Sequence, residues 1–239
     1  MNLEFWNKLD PEWQRLLYLN YLFETKLADT QQRYDFWATP FDNYKKLTGG
    51  DFSDIDLTVG VPFERIKKVD IYGTDISDLT TVEHLDLKEF YCGNTPVSQI
   101  DALSKNMDLE KLCCYNTSIK DISPLSVLKN LRRLCLSKSD VADISPLRYL
   151  RKLEKLAIYK TSVSDLSPLS EHKNLIKLNI NHTPVTSLEP LLKLDSLMEL
   201  HCFKSQVSAS QLQKMRLALP SCSIIDDYEL QETEYDDFV

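Results

Sequence analysis

The 239-residue chain has only five glycines and ten prolines, which excludes collagen-like and low-complexity sequence. Its longest apolar runs, such as LLYL at 16–19, fall far short of the roughly 20 residues a membrane-spanning helix needs. The start, MNLEFWNKLDPEW, lacks a basic segment followed by an apolar stretch, so no secretory signal is read there. A cytoplasmic location is therefore expected, with a secreted effector as the alternative. Catalytic motifs are equally scarce. The sequence has no glycine-rich phosphate loop, no GxSxG, no HExxH and no calcium-binding loop. Its four histidines, His84, His172, His182 and His201, are dispersed. The reading is of a non-enzyme with no catalytic, cofactor or metal site. The narrow alternative is an enzyme with a site near Trp37 and Tyr44.

Charge of one sign is also missing from most of the chain. The net charge is −8, yet residues 226–239 alone carry seven acids and no base. Residues 1–65 hold 11 acids and 7 bases, which leaves 18 acids against 21 bases for residues 66–225. The acidity sits at the ends, and the middle is slightly basic.

What the sequence has in quantity is rhythm. DISPL at 121–125 returns at 143–147, as DLSPL at 165–169 and as SLEPL at 187–191. Apolar residues keep the same interval. Leu131, Leu134, Leu136, Val141, Ile144, Leu147 and Leu150 are followed 22 residues later by Leu153, Leu156, Ile158, Val163, Leu166 and Leu169, with His172 as the break. The same set runs back to Leu109, Leu87 and, after a one-residue deletion, Ile66; it runs forward to Leu175 and Leu197. Leu219, Cys222 and Ile224 read as a truncated eighth strand in the same register.

A 22-residue period headed by L-x-x-L-x-L signals stacked strand-plus-return units. Over about 160 residues the chain resembles the leucine-rich repeat family, and its SPL motifs are similar to the bacterial, internalin-like class. The resemblance implies an α/β repeat solenoid: a horseshoe with a parallel sheet on its concave face and short helical or 3₁₀ turns on the convex side. The expected division is a helical cap and joint over 1–65, repeats over 66–225 with a closing helix, and an acidic disordered tail over 226–239. Asp10 and Pro11 read as a helix start, and Phe36, Trp37 and Phe41 as cap core.

Counting each leading leucine or isoleucine as offset 0, offsets 3 and 5 point inward. Cys92, Cys114, Cys202 and Cys222 fall there and act as small hydrophobes. Cys113 and Cys135 fall at offset 4, adjacent on the open face, where a disulfide, metal or redox pair is the minority reading. Where the family usually has Asn at offset 8, this chain has Thr or Ser, so a hydroxyl ladder is expected. In DISPL, Ser123 reads as an N-cap and Pro124 as the first helical residue.

Offsets 2, 4 and 6 should face outward. There the sequence places Tyr72, Tyr91, Tyr115, Tyr159, His201 and Phe203 beside the consecutive bases Lys111, Arg133, Lys155 and Lys177. At a strand spacing of about 4.8 Å, those bases span about 14 Å. Aromatic and arginine anchors are favoured at interfaces. These ten residues are the candidate partner-binding set, for a protein or peptide of acidic character; nucleic acid is disfavoured. The alternative reading is a regulatory subunit or effector that modulates an enzyme such as a phosphatase. Oligomeric state is not read from the sequence.

Overall fold

The computed structural model describes residues 6–26, with side chains to residue 18, and residues 66–227. The joint at 48–54, the aromatics Phe36, Trp37, Phe41 and Tyr44, and the tail from 228 lie outside the described residues. No helix among the described residues is long and apolar enough to cross a membrane.

Eight strands of three residues form one parallel sheet in sequence order. They are β1 (Lys68–Asp70), β2 (Glu89–Tyr91), β3 (Lys111–Cys113), β4 (Arg133–Cys135), β5 (Lys155–Ala157), β6 (Lys177–Asn179), β7 (Glu199–His201) and β8 (Ser223–Ile225). Leu112, Leu134, Leu156, Leu178 and Leu200 are successive register partners, so equivalent positions lie side by side. Each such leucine is buried, and a fully buried leucine contributes about 1.5–3 kcal/mol. The solenoid is therefore held by a continuous apolar column rather than by any single coil.

The return segments are 3₁₀ turns, including Ser123–Val127, Ser145–Tyr149 and Ser167–Leu169. Here the capping residue differs from the expectation. Ser123 and Pro124 are the first two residues of the turn, and Ile122 occupies the capping position without a side-chain bond. The cap is supplied by Asp121, whose Oδ1 accepts the Ser123 N–H at 2.8 Å while Oδ2 accepts the Ser123 hydroxyl at 3.0 Å. Asp143 and Asp165 do the same for Ser145 and Ser167. A carboxylate has two acceptors to spend on one turn, which a serine hydroxyl cannot match.

The hydroxyl ladder exists but bonds within each coil. Thr95, Thr117, Ser139, Thr161 and Thr183 each donate to the carbonyl three residues earlier, at 2.6–2.9 Å. Two polar side chains stand in for apolar ones inside the coils. Asn106 accepts the Leu87 N–H and donates to the Val82 carbonyl. His172 packs fully buried with Nε2 3.1 Å from the Leu147 carbonyl, and burial holds its imidazole below the ordinary value, hence neutral.

Both ends carry helices. Helix α1 (Pro11–Lys26) starts at Asp10, whose Oδ1 accepts the Glu12 N–H at 2.8 Å, and Trp6, Trp13, Leu16 and Leu17 join the solenoid core. Helix α2 (Ala209–Ala218) is capped by Ser208 and closes the other end. Its greater length shifts the last strand. Ile224 pairs with Leu200, so β8 sits two residues from the expected register, which had aligned Cys222 there. A shift of two preserves the inward and outward alternation, and Cys222 stays in the core.

Candidate recognition face

The outward side chains of the sheet form three layers. The middle column, at offset 4, is a buried floor: Asp70, Tyr91, Cys113, Cys135, Ala157, Asn179 and His201. Only three residues of each coil are strand, so the columns at offsets 2 and 6 stand close on either side and lean over it. This corrects the open position expected for Cys113 and Cys135, and it withdraws three of the ten candidate residues from solvent. Tyr91 is 7% exposed, Lys177 7% and His201 1%. Tyr72, Lys111, Tyr115, Arg133, Lys155, Tyr159 and Phe203 remain half-buried on the rims.

One rim is the basic column, and its ends are neutralised. Glu89 lies 2.9 Å from Lys111 and 3.8 Å from Lys68, and its Oε2 accepts the Tyr91 hydroxyl at 2.9 Å. Burial alone would raise the Glu89 carboxyl; the hydrogen bond and charge of Lys111, then Lys68 and Tyr91, outweigh it and hold it low. Glu199 repeats the arrangement, 3.0 Å from Lys177 and bonded to the His201 ring, and it too is held low against burial. The run of four bases thus has an acid against each end.

The other rim is a ladder that the outward columns alone do not show. Asn94, Asn116, Lys138, Lys160, His182 and Lys204, all at offset 7, have φ between 52° and 56°, and Gly73 leads the column at 71°. This left-handed turn swings each side chain back beside the aromatics of offset 6. The Lys138 ammonium lies 5.0 Å from the Tyr115 ring centre and 6.0 Å from Tyr159. Lys160 sits 4.9 Å over Tyr159 and Lys204 5.0 Å over Phe203. The His182 ring stands edge-on between Tyr159 and Phe203, at 5.5 and 5.7 Å. Aromatics occupy every second coil, and the coils between carry Gly93, Ser137 and Asn181. Ser137 Oγ accepts the Tyr159 N–H at 3.2 Å, and Asn181 Oδ1 accepts the Phe203 N–H at 2.7 Å. The sequence signal for this rim was the column Gly-Asn-Asn-Lys-Lys-His-Lys, whose first three members favour positive φ.

Counting offsets 2, 4, 6 and 7 from β1 to β7, the face holds eight bases and three acids in a chain of net charge −8. Comparison with known proteins agrees with this architecture. The family model "Leucine Rich repeats (2 copies)" matches residues 108–149. The chain folds as a leucine-rich repeat solenoid. Its solenoid is internalin-like: it superposes on an internalin (inlF) from Listeria monocytogenes with a TM-score of 0.65 and 26% identity, covering 78% of this chain and 54% of that one. The chain thus spans about half the length of that internalin. Internalin C2 of the same organism gives a TM-score of 0.62 at 24% identity, covering 77% and 91% of the two chains. A leucine-rich repeat protein from Leptospira interrogans gives 0.58 at 19%, covering 63% and 40%. No curated protein matches the sequence.

Proposed function

We propose that this leucine-rich repeat protein is a non-catalytic recognition module that captures an acidic protein or peptide along its sheet face. Solenoids of this kind typically act as interaction modules through their concave surface. The observation that carries the reading is a basic rim that faces, across a buried floor, a second rim where Lys138, Lys160 and Lys204 stack on Tyr115, Tyr159 and Phe203, on a chain that is otherwise acidic. Lys and Arg on the rims would steer and orient an acidic partner, and Tyr115, Tyr159 and Phe203 would supply buried contact area. If the captured partner is an enzyme, the same face serves the regulatory or effector reading. Nucleic acid fits less well with a net charge of −8.

The test is affinity capture from the native host with the wild-type chain and with a Tyr115→Ala/Tyr159→Ala/Lys155→Ala variant. The reading expects one acidic protein, or a small set, captured by the wild type and lost by the variant at unchanged melting temperature. Equal capture by both would overturn the site. We read the protein as bacterial and cytoplasmic, or as a secreted effector; fractionation of the host with an antibody to the chain decides between the two locations.

A further inference from the structure

The recognition reading makes no use of the acids that follow the last strand. Residues 228–239, YELQETEYDDFV, carry five acids and no base. The structure describes their root. Asp226 is pinned by Arg216 of helix α2, whose Nη2 donates to both carboxylate oxygens at 3.0 Å. This pin fixes where the chain leaves the solenoid. In β8, Ile225 is the register partner of His201. Counted on in the same register, the exposed Asp227 stands level with Phe203, on the side of the sheet that carries the aromatic ladder.

Charge marks that side out. The columns at offsets 6 and 7, from Tyr72 and Gly73 to Phe203 and Lys204, contain Lys138, Lys160 and Lys204 and neither Asp nor Glu. The other columns of the face each hold an acid: Glu89 and Glu199 on the basic rim, Asp70 on the floor. The ladder rim is thus where added carboxylates meet bases without meeting other carboxylates. Reach is ample. Neighbouring strands lie about 4.8 Å apart, so β4 stands about 19 Å from β8. Twelve extended residues span up to about 40 Å. In an extended segment alternate side chains share a side, which groups Glu232, Glu234 and Asp236 and turns Tyr235 the other way. Successive acids of that group fall about 6.6 Å apart, far enough for each to meet the lysine of a different coil.

We propose that residues 228–239 turn back along the ladder rim and occupy the recognition face as an internal acidic ligand. Glu232, Glu234 and Asp236 then lie against Lys204, Lys160 and Lys138, in that order away from β8. The inference rests on the recognition reading of this face and adds its regulation: an incoming acidic partner has to displace the chain's own acids. Tethering gives the segment an effective concentration on the order of millimolar, so a submillimolar intrinsic affinity weakens a competing acidic ligand about fivefold or more.

The first test is zero-length carbodiimide crosslinking of the full chain at low salt, with peptide mapping of the monomer. Glu232, Glu234 or Asp236 should join Lys138, Lys160 or Lys204, and about 1 M sodium chloride should abolish the links, because charge is then screened within about 3 Å. Links only to return-segment lysines such as Lys105, Lys129 or Lys173, links only between two chains, or no links would overturn the proposal. The second test is binding of a fluorescein-labelled 228–239 peptide to the full chain and to a neutralised variant carrying Glu229→Gln, Glu232→Gln, Glu234→Gln, Asp236→Asn and Asp237→Asn. The variant should bind the peptide at least about fivefold tighter. Adding Lys138→Asn, Lys160→Asn and Lys204→Asn should remove that gain; Asn94 and Asn116 already occupy the same left-handed position, so the turn is kept. Circular dichroism checks that each variant is folded. Equal peptide affinity for the wild type and the neutralised variant would overturn the proposal. Affinity capture with the neutralised variant separates the two readings. An acidic partner captured equally with and without the tail charges overturns the tail proposal and leaves the recognition reading. A tail that docks on a face capturing no partner supports the tail proposal and removes the recognition reading.

Discussion

Asp70 opens the floor of the sheet face at β1, and its replacement by Asn isolates one ionisation. The residue is buried, its Oδ1 accepts the Tyr72 N–H at 2.8 Å, and Lys68 lies nearby. Burial dominates over both partners and pushes the carboxyl from 3.8 up to about 7. The folded chain therefore keeps a proton that the unfolded chain releases near pH 4. Stability from this group is fully present below about pH 4, declines as pH rises to about 7, and is constant above that. Between pH 5 and pH 8.5 the loss amounts to about 2.5 kcal/mol. Glu89 and Glu199 are held low, so their contribution is lost only as pH falls below about 4.5, outside this range. His172 is held below 6.5, so its contribution is lost as pH falls through that value and opposes Asp70 in the overlap. Comparing Asp70→Asn with the wild type cancels these other groups. Asn keeps the acceptor for Tyr72 and carries no charge at any pH. Urea denaturation at pH 5 and pH 8.5 should show the variant gaining about 2.5 kcal/mol relative to the wild type at the higher pH. A difference constant to within about 0.5 kcal/mol would mean that Asp70 ionises near its ordinary value and that burial does not control it.

Three further outcomes follow from the coil geometry. Thr117→Val keeps the shape but removes the donor to the Cys114 carbonyl at 2.9 Å, and should cost about 1–2 kcal/mol in urea denaturation. Asp143→Ala removes both acceptors from Ser145 and should cost about 1 kcal/mol by the same measurement, with loss of amide protection over Ser145–Tyr149 in hydrogen exchange. Lys160 sits at φ 52°, so Lys160→Val should destabilise by about 1–2 kcal/mol while Lys160→Gly stays within about 0.5 kcal/mol, as read from thermal melts.

The architecture was legible because burial enforces it. An apolar residue every 22 positions leaves no way to cover one coil except with the next, so Leu112, Leu134, Leu156 and Leu178 had to stack. The return turn was legible in place but not in mechanism. Asp and Ser are both good caps, and the pentapeptide does not say which side chain reaches the amide; the geometry gives it to Asp121, Asp143 and Asp165. The eighth strand was misplaced by two residues because a ten-residue α-helix replaces the short 3₁₀ return, and an apolar alternation of two reads equally well in either register.

The recognition face was legible only as columns, since a one-dimensional alternation assigns a side without a depth. Offsets 2, 4 and 6 all face away from the core, yet a strand of three residues has room for one row between its flanks, and the long side chains of the flanks close over it. That is why Tyr91 and His201 became floor while Tyr115 and Phe203 became rim. Depth also explains why both acids of the basic column lie where they do. Glu89 and Glu199 sit beside the buried hydroxyl of Tyr91 and the buried ring of His201, and each satisfies a polar group the floor would otherwise strand. The same carboxylates neutralise Lys111 and Lys177, so satisfying the floor and trimming the charge of the rim are one act. A partner that binds this face must therefore compete with two internal carboxylates at the ends of the run. Its own acids should gain most against the middle coils, β4 and β5, where Arg133 and Lys155 face the Tyr115–Lys138–Tyr159 ladder across the floor.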